Sequence, residues 1–426
     1  MPAIVGLSTA TQRLLSELTE ELVALEAGGL RRQLRTLEAV DGPRVRLEGR
    51  ELVNWCSNDS LGLSRHPRLA EAAASAAAEW GLGARASRLL SGTTRWHREL
   101  EEALARWFGV EAALVYPSGY LANLGALGAL CSSQDLIVMD RLSHASLFDA
   151  ARASRATVRV FRHHDAGHAA TLLARGRGAR RRLIVTEGVF SMEGDRAPLA
   201  DLAEAAQAQE ALVYVDDAHG AFALGRSGRG SPEAAGLSPE RFLYMGTLGK
   251  ALGCQGGFII GPRPLIEWLH NRSRPFIYTT ALATPVVAAA AAALQVLEEE
   301  PHRRLLLEAR AQALASRLAA LGLPLAAPSH IVPVIAGDAE RAVAWSRRLW
   351  DRGIWAPAIR PPTVPEGTAR LRLSLTALHT EEHLDALIDA LKDVLPRVRS
   401  SELGVRSKSP ATPHSALRTP HSGSGG

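Results

Sequence analysis

Lys250 stands in the stretch YMGTLGKALGCQGG, residues 244–257, with small residues and glycines on both sides. Glycine leaves backbone room and little side-chain cover. A long cation in such a place is either the tip of a surface turn or an amine that something large must reach. Other short stretches also carry reactive groups. DDAHG closes an apolar run with Asp216 and Asp217 and places His219 three positions after the first acid. VTEGVFSMEGD offers Glu187, Ser191 and Asp195. DRLSHASL offers His144, and SGYLANLG offers Gly119 and Tyr120 at a turn whose following helix start could hold a phosphate on its N–H groups. Each has an ordinary reading. A lone histidine is usually a polar surface or core residue, and glycine turns between strands and helices are common.

Together these groups make one inventory. An amine can form a Schiff base with an aldehyde. A carboxylate can keep a pyridine nitrogen protonated, so that the ring works as an electron sink. An imidazole can lie flat on a ring face, and N–H and hydroxyl donors, Thr247 among them, can hold a phosphate. These are the needs of pyridoxal 5'-phosphate. The glycines around Lys250 are then expected to leave room for its ring and phosphate.

The elements that would bring these residues together are legible as alternating short apolar runs and helical segments. AALVYP, LIVMD, TVRVF, RLIVTEG, ALVYVDDAHG, RFLYMGT and GGFIIG read as strands. They are nearly continuously apolar, as in a sheet covered on both faces, and the helices between them imply a mostly parallel α/β arrangement. In such sheets ligands bind at the carboxyl ends of the strands, where every group above falls. Before this region, the leucine stripe Leu14, Leu15, Leu18, Leu22 predicts a helix over residues 8–40, and residues 44–55 read as a hairpin. Helices follow Pro67 and run from Thr94 to a stop at Gly109; VVAAAAAALQVL, residues 286–297, reads as a buried helix. The expected organisation is an N-terminal helix and hairpin (1–54), a large domain with a seven-stranded sheet and helices on both faces (55–284), a small α+β C-terminal domain (285–398) closing on a helix capped by Thr380, and a disordered tail (399–426) rich in Ser, Pro, Gly and His.

Composition narrows the function classes. With 46% hydrophobic and 22% charged residues, the 426-residue chain is ordinary for a soluble globular protein. The net charge of +5 raises nucleic acid as a partner. However, the runs RGRGARRR and RVRS are short and lack the interleaved aromatics that stack bases, so nucleic acid is set aside. Three scattered cysteines, Cys56, Cys131 and Cys254, give no zinc spacing and no disulfide framework. No metal is expected, and a reducing, cytoplasmic setting is. No apolar run reaches the roughly 18 residues of a membrane helix, and no signal peptide is visible.

The motifs SNDSLGL, SGYLANLG, DRLSHASL, VTEGVFSMEGD, VDDAHG and TLGKALGCQG, in family order within a likeness that runs along residues 30–395, resemble those of the α-oxoamine synthases, pyridoxal-phosphate enzymes of fold type I. The resemblance implies roles. Lys250 carries the cofactor, Asp216 pairs with its ring nitrogen, and His144 stacks on the ring. His219 and Ser191 surround the phenolic oxygen, with Glu187 beside them. Gly119, Tyr120 and Thr247 contact the phosphate region. Arg372 binds the amino-acid carboxylate, and Asn58, Thr363, His144 and Arg31 contact substrate, with Arg32 and Arg35 close enough to replace Arg31. The block AIRPPTVPEGTARLRLSLTALHT is most similar to the member that joins L-alanine to a pimeloyl thioester, carried on coenzyme A or acyl carrier protein, in biotin synthesis. A homodimer with active sites at the interface is implied too. Sister members using glycine or another acyl-CoA, and a non-catalytic homologous subunit, remain as alternatives. Ser60 departs from the family's usual tyrosine, which bears on the substrate pocket. Ala221 and Phe222 also depart, and they are expected to change a wall near the cofactor.

Overall fold

A computed structural model describes residues 8–28, 30–32, 34–325 and 329–395. The expected tail lies outside the described residues. All seven apolar runs form one sheet: β1 (Ala112–Tyr116), β2 (Leu136–Asp140), β3 (Thr157–Phe161), β4 (Arg182–Glu187), β5 (Leu212–Asp216), β6 (Leu243–Thr247) and β7 (Gly257–Gly261), in spatial order β1-β7-β6-β5-β4-β2-β3. The pairs among β3, β2, β4, β5 and β6 are parallel, while β7 runs antiparallel to both β1 and β6. This gives the fold-type I pyridoxal-phosphate architecture, an α/β sheet with helices and a smaller C-terminal unit. Strands β2 and β7 are buried at every position, and β1, β4, β5 and β6 at all but the first. That is why they read as continuous apolar runs rather than alternating ones.

One layer beside the sheet is an aromatic cluster. Phe222 packs edge-on to Phe108 at 5.5 Å and tilted to Phe258 at 5.7 Å, and Phe108 lies 5.2 Å from Tyr244. Phe222 is wholly buried there and has a left-handed φ of 66°. The expected cofactor wall is therefore corrected. The Phe222 ring turns into the core because its backbone reverses at that point. Ser60 is also buried, with its carbonyl accepting from the Ala377 N–H at 2.7 Å.

The N-terminal helix covers Thr9–Ala27 only. Gly28 caps it, and Leu37–Asp41 forms a strand instead, so the expected helix over 8–40 is too long. That strand, the hairpin Arg44–Leu47 with Arg50–Asn54, and Ile354–Trp355 make a second sheet; Ile354–Trp355 pairs parallel with Arg50–Asn54. The N-terminal hairpin thus joins the C-terminal unit. Helix Thr284–Glu299, nine of whose residues are buried, packs on helices Pro67–Trp80 and Arg95–Phe108. Strands Ile331–Gly337, Ala358–Ile359 and Ala369–Ser374 form the third sheet. In the basic run, Arg180 pairs with the buried Asp135 at 2.7 Å and Arg181 donates to the Leu130 carbonyl at 2.6 Å, so these arginines staple strand ends. Among the described residues no helix is long and apolar enough to cross a membrane.

Candidate active site

The carboxyl ends of β4, β5 and β6 deliver Glu187, Asp216 and Thr247 side by side, with Glu187 and Asp216 in register. Successive strand residues face opposite sides, which separates the two acids of DDAHG. Asp216 turns to the site. Asp217 is wholly buried elsewhere, accepting from Ser231 N (2.7 Å), Ser231 Oγ (2.5 Å) and Tyr244 Oη (2.7 Å). Its role is to anchor the loop that follows.

Three residues after Thr247, the Lys250 Nζ lies 2.7 Å from His219 Nε2. Burial pushes the amine down to about 8, against the opposing pull of Asp216 and Glu187. His219 falls well below its ordinary value because it is buried and faces Lys250 and Arg372. It is therefore a neutral acceptor for the amine. Glu187 is pushed well up by burial and by Asp216. One of its oxygens accepts from Ser191 N at 3.2 Å and the other, Oε1, is buried without a partner.

Arg372 is buried on strand Ala369–Ser374. Its Nε donates to the Ser191 carbonyl, one terminal nitrogen reaches Ser374 Oγ at 3.0 Å, and both reach Asn58 Oδ1 at 3.4 Å. The guanidinium plane is thus fixed from two sides. His144 caps helix Ala145–Ser154 and stays exposed at the residue level. Tyr120 is 44% exposed and donates to Asp149 at 2.6 Å. Thr247 Oγ1 donates to the Gly256 carbonyl at 2.7 Å and accepts from Gly249 N at 3.1 Å. Thr363 and Arg31 line a cleft of about 900 Å³ with Arg32, Arg35, Arg347 and Trp350. There Arg32, not Arg31, donates to Thr363 Oγ1 at 3.3 Å, while Arg31 pairs with Glu26 at 3.2 Å and Arg35 with Glu48 at 3.2 Å.

The residues fit pyridoxal phosphate on their own chemistry. The amine is buried and depressed, and a carboxylate waits at the neighbouring strand end. The first-turn N–H groups of helix Gly119–Leu130, capped by Ser118, lack intrahelical partners. A Cβ added at Gly119 or Gly249 would meet nothing nearer than 3.5 Å, so protein packing does not require glycine there and space beside Thr247 stays open. The same explanation fails for the other glycines after Lys250. A Cβ at Gly253 would lie 2.4 Å from Ser64 N, and one at Gly257 2.6 Å from Gly119 Cα; close backbone contact demands those two.

Three residues of the site escape the sequence reading. Asn123 donates to Asp216 Oδ2 at 2.7 Å and to Ser146 Oγ at 2.9 Å, and Tyr214 Oη donates to Asn123 Oδ1 at 2.8 Å. His330 is buried with Nδ1 unpartnered, its ring 6.1 Å from that of His219 and its pKa pushed down to about 3 by burial and by Arg372. Asn123 and Tyr214 sit inside apolar stretches, and His330 lies just before strand Ile331–Gly337, so no motif marks them.

Comparison with known proteins agrees with this geometry. The profile of the aminotransferase class I and II family matches residues 50–391. An 8-amino-7-oxononanoate synthase of Anaeromyxobacter sp. (strain K) is 48% identical over 383 residues, spanning 90% of this chain and 96% of that protein. Another, of Methylobacillus flagellatus, is 45% identical with the same coverage. Among solved structures, the serine palmitoyltransferase of S. paucimobilis with bound PLP–myriocin aldimine superposes with a TM-score of 0.84 at 31% identity, covering 91% of this chain and 98% of that one. The 8-amino-7-oxononanoate synthase of Francisella tularensis gives 0.68 at 27% identity, covering 80% and 96%. With relatives nearly half identical along almost their whole length, the chain belongs to the aminotransferase class I and II family, as one of its pyridoxal-phosphate-dependent α-oxoamine synthases.

Proposed function

We propose that the chain condenses L-alanine with a pimeloyl thioester, releasing the thiol and CO₂ to leave 8-amino-7-oxononanoate for biotin synthesis. The observation that carries the reading is Lys250 Nζ buried against His219 beside Asp216, in a chain 48% identical to a protein named for that synthase. Bound pyridoxal phosphate supplies an aldehyde for Lys250 and an electron sink for the alanine Cα carbanion. The chain supplies the rest. Asp216 would hold a proton on the ring nitrogen, and His144 would lie against the ring. Arg372, whose guanidinium stays charged at any working pH, takes the amino-acid carboxylate in its fork. Lys250 Nζ, with a pKa of about 8, is neutral often enough near neutrality to accept the Cα proton and later return one. His219 Nε2 aims that amine. Glu187, Asp216 and His219, all buried, would keep water from the reacting atoms.

The cleft at Thr363 suits the thioester carrier, since Arg31, Arg32, Arg35 and Arg347 present positive charge to its phosphates. That property serves coenzyme A and a phosphopantetheine carrier protein alike. The enzyme is taken as a homodimer with its active sites at the interface. The likeness to serine palmitoyltransferase favours a second reading, in which a different amino acid and acyl group use the same residues. Product masses separate the two. Purified protein, pyridoxal phosphate and each of L-alanine, glycine and L-serine are mixed with a panel of acyl thioesters. Dominance of alanine with pimeloyl supports the proposal, and dominance of any other pair overturns the substrate assignment.

A further inference from the structure

Asn123 lies inside helix Gly119–Leu130, 1% exposed, among leucine, alanine and glycine. A buried amide is costly unless its hydrogen bonds are met, and here each one is directed at the site. The orientation of the amide is forced. If it were flipped, its oxygen would face the Asp216 carboxylate, two acceptors in contact. Tyr214 holds the other side. Its hydroxyl keeps its proton, because burial and Asp216 push its pKa well up, and it donates to Asn123 Oδ1 at 2.8 Å. Both amide hydrogens are then committed, one to Asp216 Oδ2 at 2.7 Å and one to Ser146 Oγ at 2.9 Å.

The second bond reaches the stacking histidine. Ser146 Oγ lies 2.8 Å from His144 Nδ1, and Ser146 N donates to the same nitrogen at 3.2 Å. A nitrogen that already receives a backbone N–H cannot carry a hydrogen of its own toward the serine. Ser146 Oγ accepts from Asn123 and donates to Nδ1, which leaves the imidazole proton on Nε2. The lowered pKa of His144, caused first by lost solvation at the ring, agrees with a neutral imidazole.

We propose that Asn123 is a positioning residue of the cofactor site: its one amide fixes the Asp216 carboxylate assigned to the ring nitrogen and aims the Ser146 hydroxyl at His144 Nδ1. The inference rests on the reading of Asp216 as the partner of that nitrogen. It separates two effects that a general packing role would blur, because only the Asp216 limb depends on the nitrogen itself.

The test is a titration of the cofactor-stripped protein with pyridoxal phosphate and with its analogue bearing C–H in place of the ring nitrogen. Wild type is expected to bind the natural cofactor more tightly. Asn123→Leu is expected to weaken that binding by about 10- to 100-fold, the scale of a hydrogen bond to a buried charge, and to leave the analogue's affinity unchanged. Tyr214→Phe, which keeps the amide but releases its orientation, is expected to show the same selective loss to a smaller degree, and it serves if the leucine variant does not fold. Equal losses for both ligands, or no loss for either, overturns the proposal. If wild type itself fails to prefer the natural cofactor, the Asp216 assignment falls first and the inference with it.

Discussion

The amine of Lys250 sits near neutrality because two opposing effects almost balance. Burial disfavours the ammonium, and the Asp216 and Glu187 carboxyl groups favour it; burial wins, leaving a pKa of about 8. The sign is testable. A neutral amine is the reactive form, so capture of pyridoxal phosphate by the cofactor-free protein is expected to quicken as pH rises through about 8. Asp216→Asn removes an opposing charge, so the midpoint of that rise is expected to move to lower pH. Stopped-flow absorbance of wild type and variant side by side isolates the Lys250 contribution, since the titrations of the cofactor are common to both. An upward shift would mean that Asp216 does not favour the ammonium. At this scale the residue pattern by itself does not separate neighbours. DDAHG presents two acids, and only the strand register Glu187 to Asp216 decides which one faces the site. Asn123 was invisible for a related reason. Its partners lie 23 and 93 positions away, and its local pattern is that of an apolar helix.

At the scale of elements, the strands were legible because a sheet buried on both faces leaves continuous apolar runs. The N-terminal helix was misjudged because its leucines satisfy the helical period while Gly28 ends it, and strand Leu37–Asp41 has no buried position to leave a pattern. The ties between strand ends are tertiary and carry no signature. The best defined joins β2, β3 and β4. His163, just after β3, meets Asp140 at the end of β2 at 2.9 Å and Asp195 after β4 at 3.1 Å. Asp140 also accepts from Leu142 N at 2.9 Å and from His164 N at 3.1 Å. Burial opposes a charge on His163, but the two carboxylates prevail and raise its pKa from 6.5 to about 9. A group raised on folding stabilises most below its unfolded value, here about 6.5, and that contribution fades as pH climbs through about 9. His163→Gln is therefore expected to lower the melting temperature by roughly 2–6 °C at pH 6. The gap to wild type should close toward pH 10. A gap that stays constant across that range would show that His163 acts by packing against Phe190, whose ring is 4.4 Å away, and not by charge.

At the scale of the molecule, one surface of the chain is out of keeping with the rest. Helix Thr9–Ala27 has no buried residue, and Leu14, Leu15, Leu18 and Leu22 stand 43–52% exposed along one stripe. A helix with an apolar stripe ordinarily buries it, and a second copy of the chain is the occupant that the homodimer reading supplies. The same segment leads within a few residues to Arg31 and Arg32, which line the cleft assigned to the thioester carrier. Association and substrate binding are then linked through one element. Sedimentation is expected to give twice the mass of one chain for wild type. The double variant Leu18→Glu with Leu22→Glu is expected to shift toward the single-chain mass, because each buried leucine contributes about 1.5–3 kcal/mol that a charge cannot replace. The affinity for acyl thioester should fall in the same variant, while binding of pyridoxal phosphate by Lys250 is less affected, since the groups that hold it come from one sheet edge. A double variant that remains dimeric removes this stripe from the interface. A wild-type monomer with full activity removes the interface from the site altogether, and Arg31, held by Glu26 in the single chain, then has no route to the substrate through a partner.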